Sequence, residues 1–328
     1  MSLRPRGARG ALPPLAILAA IGTCSTIGQA TDPPVPPRAA YVTNQTADTV
    51  AIVDLATMKL RETVAVSGKP AGVALAADRA TVFITAPEGK ELIAIDAASN
   101  KIAWRMKAGD GPLGIAVQPG NGRVWVADWY RHEMLVIDPA ARAILGRVGV
   151  GHSPSGVAFT PDGATAFSAD RDSDEVSFID TATLARSGGV KVGTRPFGVT
   201  VDEAGRRAYT ANVGSNDVTV IDIQTRKVIG TVPVGRRPYA VALARGLAFV
   251  TDQYAGTVTV FDTAALKVVK TLPVGDYPEG IAADAEGRFV YVACWSDNTL
   301  VRIDAGALEV TGKVEVGDGP RAFGMFLR

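Results

Sequence analysis

Beyond the first 30 residues the chain holds two histidines, His132 and His152, and one cysteine, Cys294. Imidazole and thiolate supply general bases, nucleophiles and soft metal ligands. A metal or haem centre needs more donors, and Asp128, Asp170 and Cys294 are the side chains of suitable type. No His-x-x-x-His or Cys-x-x-Cys-His spacing links them, so the expectation is two solvated histidines and a small apolar thiol, with no metal and no cofactor. A second constellation is Glu279, Arg321 and His152, which would serve as acid, anion clamp and base. No nucleophile elbow and no glycine-rich phosphate loop accompanies it.

The commonest acid position is a repeated one. Asp54, Asp96, Asp138, Asp180, Asp222, Asp262 and Asp304 each close an apolar run and precede a turn. A carboxylate there accepts backbone N–H groups of the next residues and holds the turn. Seven copies spread around a ring cannot converge on one ion. They are structural.

These aspartates lead to the elements that carry them. A proline after a Gly-rich turn recurs at Pro70, Pro112, Pro154, Pro196, Pro238, Pro278 and Pro320, at intervals of 42, 42, 42, 42, 40 and 42. An aromatic recurs with the same intervals at Tyr41, Phe83, Trp125, Phe167, Tyr209, Phe249 and Tyr291. Each unit parses into four short β-branched runs separated by Gly, Asp and Pro, which are strand and turn signals. Four strands in ~40–45 residues make one propeller blade. The sequence predicts an all-β fold: a seven-bladed β-propeller over 39–328, four antiparallel strands per blade. The chain begins at an aromatic strand and ends with a lone first strand, Ala322 to Leu327. The last blade is therefore expected to be closed by both termini, which removes the free sheet edges.

Tyr41-Val42-Thr43-Asn44, with Tyr209-Thr210-Ala211-Asn212, Val220-Ile221-Asp222 and Val192-Gly193-Thr194-Arg195-Pro196, resembles the YVTN-type repeat of the YncE-like periplasmic propellers. The resemblance spans the mature chain and is specific for fold. It implies association with quinoprotein or other redox systems in some relatives and single-stranded DNA binding in others. Lactonase-like and lyase-like propellers are the enzyme models. The tryptophan-containing repeats that dock pyrroloquinoline quinone are absent.

Comparison among the repeats locates the candidate surface. The only length change lies between Pro238 and Phe249, where 11 residues replace 13. That shortens one hairpin between first and second strands. The opposite rim, made of inter-blade crossovers and second-to-third-strand loops, keeps uniform length and varies in side chains. Directly after the prolines stand Ala71, Leu113, Ser155, Phe197, Tyr239, Glu279 and Arg321, expected to ring the channel mouth. The outer loops carry Trp129-Tyr130-Arg131-His132, Tyr254 and Trp295, and the crossovers add Arg195, Arg236 and Arg237. Aromatics mixed with arginine mark a recognition surface. The expected partner is a protein or small ligand on this rim, possible redox enzymes included, with the propeller itself a monomer.

Residues 1–30 read as a signal peptide: Arg4, Arg6 and Arg9, an apolar run from Ala11 to Ile21, and Gly28-Gln29-Ala30 before the cleavage point. Residues 31–38 are a Pro-rich linker, and export places the protein in the periplasm or outside the cell. The whole chain is +1, and loss of those three arginines leaves −2. Near-neutral charge removes a global drive towards nucleic acid. A single mature cysteine forms no internal disulfide. The sequence thus favours a binding or scaffold propeller over an enzyme.

Overall fold

A computed structural model describes residues 38–328, so the expected signal peptide (1–30) and residues 31–37 of the linker lie outside the described residues. Six consecutive blades span 72–107, 112–149, 154–191, 196–233, 238–273 and 278–315, each an antiparallel sheet of four strands in chain order. The seventh contains β1 (Ala39–Asn44), β2 (Thr49–Asp54) and β3 (Lys59–Ala65), completed by the C-terminal segment. The fold is the seven-bladed propeller that the repeat predicts. No helix of the described residues is long and apolar enough to cross a membrane.

The repeat works because each conserved type meets one local need. The seven strand-ending aspartates accept backbone N–H groups two or three residues on, as Asp54 Oδ1 does from Ala56 and Thr57, both at 2.9 Å. The outermost strand is bulged at one place in every blade, for example between Val220 and Ile221. Such a bulge deepens strand twist, which lets blades splay from the axis. The shortened hairpin of the fifth blade turns on Arg245 and Gly246, with φ of +54° and +76°, the two positive values a two-residue turn between twisted strands requires.

Packing lies between blades. Trp125 is fully buried among Ala166 and Ile179 of the next blade, and its Nε1 donates to Gln118 Oε1 at 3.1 Å. Tyr41 fills the same position at the ring closure, against Ile95 and Ala97 of the first blade. Near the axis the blades touch through backbone. A Cβ on Gly114 would lie 1.7 Å from the Ser155 carbonyl oxygen, so only glycine fits there.

The closing strand departs from the repeat. Elsewhere the proline faces the last residue of the second strand and the residue five further on faces the one four before that last residue, as Pro154↔Asp170 and Phe159↔Ala166 show. Pro320 faces Asn44 as expected, but Ala40 faces Leu327 and not Met325. Two extra residues are taken up at Phe323–Met325, where Gly324 has φ +118°. Phe323 and Gly324 instead pair in parallel with Gly72 and Val73 of β4 (Gly72–Leu75). The ends still join, through Tyr41 N–H to Phe326 O (2.9 Å) and Arg328 N–H to Ala39 O (2.7 Å). The expected closure holds; its inner strand is bulged towards the axis.

Candidate functional site on the crossover rim

The crossover rim is set by buried anchors. The last residue of the second strand points under the crossover: Asp128 accepts Asp110 N–H at 2.8 Å and Gly111 N–H at 3.0 Å. Asp170 accepts Gly151 N–H (2.9 Å), Ser168 Oγ–H (2.6 Å) and Ser177 Oγ–H (2.5 Å). A second anchor comes from the loop. Asp48, Asp174, Asn216 and Asn298 each accept the N–H of the residue before a crossover proline, at 2.7–3.1 Å. His132 holds the equivalent position and accepts Ser153 N–H through Nδ1 at 3.1 Å. That contact requires Nδ1 to be unprotonated.

The anchoring role of both sets escaped the sequence reading, although a signal was present. His132 stands in the same 42-, 42-, 42-, 42-, 40- and 42-residue series as Asp48, Lys90, Asp174, Asn216, Gly256 and Asn298. Nor are the histidines separately solvated: their rings stack with centroids 4.6 Å apart. Cys294, in the anchor position of the sixth blade, is buried, and burial pushes its thiol up to about 12. It is held as a thiol, facing Val274 O at 3.8 Å.

The ring of residues after the prolines converges as expected, and then closes. Phe197 and Tyr239 are 7% and 4% exposed, so they face one another and not solvent. Their ring centroids are 4.4 Å apart, and Phe323 lies 5.1 Å from Phe197 and 5.4 Å from Tyr239. The expectation of a mouth lined by exposed aromatics gives way here to a filled plug, because seven inner strands leave too little space for two aromatic rings to avoid contact. Glu279 and Arg321 do meet, at 3.2 Å between Oε2 and Nε. Gln253 Nε2 donates to Glu279 Oε1 (2.6 Å), while Arg321 donates to Tyr239 Oη and Gln45 Oε1, both at 2.9 Å. Burial pushes the Glu279 carboxyl up, opposed chiefly by Arg321. His152 belongs to the crossover into the third blade, beside His132 and Ser173. The acid, clamp and base are not brought together.

Outside the plug lies the exposed part of the rim. Trp129 packs on Phe197 (6.3 Å) beneath the Arg171 guanidinium (5.6 Å). Tyr130 lies exposed across Gly111, and Arg131 pairs with Asp110 at 2.6 Å. Arg195 is exposed beside Phe197 in sequence. On the other side, Tyr254 and Tyr277 are 47% and 41% exposed. Their centroids are 5.4 Å apart, Trp295 follows at 6.4 Å, and Arg237 lies 4.7 Å over Tyr254. Tyr277 was missing from the sequence candidates. It directly precedes Pro278 and is the only aromatic in that position, which is the signal that would have found it.

Two of the anchors, Asp170 and Asp252, carry pH-dependent terms, since burial raises both carboxyls to about 6. Burial raises the Asp170 carboxyl from 3.8 to about 6. A raised folded value means the folded chain holds a proton that the unfolded chain has lost. Stability therefore falls as pH climbs from about 4 to 6 and stays reduced above, by about 3 kcal/mol for a two-unit shift. Asn212 fills the same place in the next blade and donates to Thr219 Oγ1 at 2.8 Å. Asp170→Asn should thus gain on the parent by about 2–3 kcal/mol between pH 4 and pH 7. Urea unfolding at the two pH values reads the difference, and parallel stabilities would refute it.

Blade count and anchored crossovers define a closed seven-bladed β-propeller. Its fold is YNCE-like: the YNCE-like beta-propeller family model matches residues 130–288. No curated protein matches the chain. Among solved structures, Kuenenia stuttgartiensis hydrazine synthase is similar at 21% identity and TM-score 0.71, over 78% of this chain and 89% of that one. A functionally unknown protein from Desulfotomaculum acetoxidans DSM 771 is similar at 15% identity and TM-score 0.74, over 86% and 98% of the two chains. Dihydro-heme d1 dehydrogenase NirN in complex with DHE is similar at 17% identity and TM-score 0.61, over 84% of this chain and 63% of that one. At these identities the likeness is one of fold.

Proposed function

We propose that the protein is an exported, periplasmic binding propeller that presents its crossover rim to a protein partner in a redox system. The observation that carries the reading is the arc of Tyr254, Tyr277 and Trp295 with Arg237 laid on it. Three adjacent, partly exposed aromatics capped by a guanidinium have the composition of an interface centre. Elsewhere the exposed apolar residues are mostly aliphatics of outer strands, such as Val228 and Val268. Similarity in fold to a hydrazine synthase and a dehydrogenase supports a redox setting.

The enzyme reading has less support, since Glu279 is engaged by Gln253 and Arg321 inside the plug. The test is affinity capture from periplasmic extract, followed by measured binding of the captured protein. Tyr254→Ala, Tyr277→Ala and Trp295→Ala together should weaken that binding at least 30-fold, about 2 kcal/mol or more. Val228→Lys should leave it unchanged. Equal binding by parent and triple variant would reject the arc, and salt-sensitive retention of single-stranded DNA by the arc alone would replace the protein partner.

A further inference from the structure

The plug at the crossover rim makes the channel one-ended. Phe197, Tyr239 and Phe323 close it on that side, and what remains is a cavity of about 520 Å³ lined by the inner strands. Its wall includes Leu75, Val117, Phe159, Val201, Leu243 and Met325, and it extends to Pro119, Glu203 and Ala285 at the hairpin rim. The volume and apolar wall are those of a small-molecule pocket.

Two features give that pocket a chemical preference. Its only charged lining residues are carboxylates, Glu203 and Asp284. Asp284 is unusual. Its side chain is 8% exposed, and Oδ1 accepts Arg288 N–H at 2.6 Å and Phe289 N–H at 3.1 Å. Oδ2 is buried and accepts no hydrogen bond; Arg38 Nη1, 3.9 Å away, is its ion-pair partner. That contact is too long for a hydrogen bond, so the acceptor's capacity stays unfilled.

We infer that the hairpin-rim cavity binds an amphiphilic amine, its hydrocarbon part among the inner strands and its ammonium at Asp284 and Glu203. The ammonium supplies up to three donors and the sign of charge both carboxylates accept. An apolar anion of the same length meets repulsion from the same two groups. The site lies at the opposite end of the channel from the aromatic arc, so the two assignments stand or fall separately.

Calorimetric titration of the full chain at pH 7 with octylamine, octanol and octanoate tests this. The amine should bind tightest and the carboxylate weakest, at least tenfold apart. Hexylamine should bind about tenfold more weakly than octylamine, since each buried methylene contributes about three- to fourfold. Asp284→Asn and, separately, the exposed Glu203→Gln should each reduce the amine preference over octanol severalfold without weakening octanol. Met325 is 54% exposed and lines the cavity, so Met325→Trp should fill the space without a core penalty and weaken all three ligands. Tyr254→Ala should change none. Equal binding of the three ligands, tightest binding of octanoate, or a Met325→Trp variant that binds like the parent would overturn the assignment.

Discussion

Arg321→Ala is expected to destabilise the protein by about 3–5 kcal/mol at pH 7, because it leaves the Glu279 carboxylate buried without its counter-charge. Glu279 sits inside the plug with Gln253 on one oxygen and Arg321 on the other. Burial already raises its carboxyl above the ordinary 4.5, and Arg321 is the chief opposing influence. Removing that influence raises it further. The sign follows: the variant loses least well below pH 4.5, where the carboxyl is protonated in both states, and progressively more as pH rises. Arg321→Ala with Glu279→Gln should recover most of the loss, since glutamine still accepts from Gln253 and carries no charge. Urea unfolding of parent, single and double variants at pH 5 and pH 8 measures the cycle. A single-variant cost under about 1 kcal/mol, the range of an exposed pair, would show that the pair is solvated and that the plug is open.

That outcome also bears on what these residues are for. A carboxylate–guanidinium pair at a channel mouth has the chemistry of a substrate clamp when solvent reaches it. The same pair, with Arg321 locked to Tyr239 and Gln45 and Glu279 to Gln253, is a tie between the sixth and seventh blades at the axis. The chemical types were legible from the sequence. Their burial was not.

The difference between what was legible and what was not is physical. Blade number, strand order and the turn role of Asp54 and its six counterparts depend on local patterns that repeat with the chain, and each was visible as a period. The Asp170 and His132 anchors were also periodic, but their types vary from blade to blade: Asn, Ala, Asp or Cys in one series, Asp, Lys, His, Asn or Gly in the other. A series defined by position and not by type is easily passed over. The plug and the bulge at Phe323–Met325 had no local signal at all. They arise from convergence of seven strands on one axis, where Gly114 admits no Cβ and Phe197, Tyr239 and Phe323 share the remaining space.

Ending the chain at Gly319 is expected to abolish the cooperative fold. The nine residues removed, Pro320 to Arg328, include Phe323, Phe326 and Leu327, all buried. Burying three such side chains stabilises by about 2 kcal/mol each. The segment also exchanges backbone hydrogen bonds with Thr43, Tyr41, Ala39, Ala71 and Gly280, each worth about 1 kcal/mol net. The total of about 10 kcal/mol matches the whole stability of an ordinary domain, ~5–15 kcal/mol. The truncation further exposes β1 as an unpaired edge, which invites association between chains. Size-exclusion chromatography should find aggregate in place of monomer, and thermal unfolding should lose its sharp transition. Phe326→Ala, by contrast, should cost about 3–5 kcal/mol and leave a monomer, because it keeps the backbone pairing. If the truncated chain stayed monomeric with a transition within a few degrees of the parent, the terminal strand would be an ornament on a self-sufficient open ring. The C-terminal bulge could not then be what seals the channel.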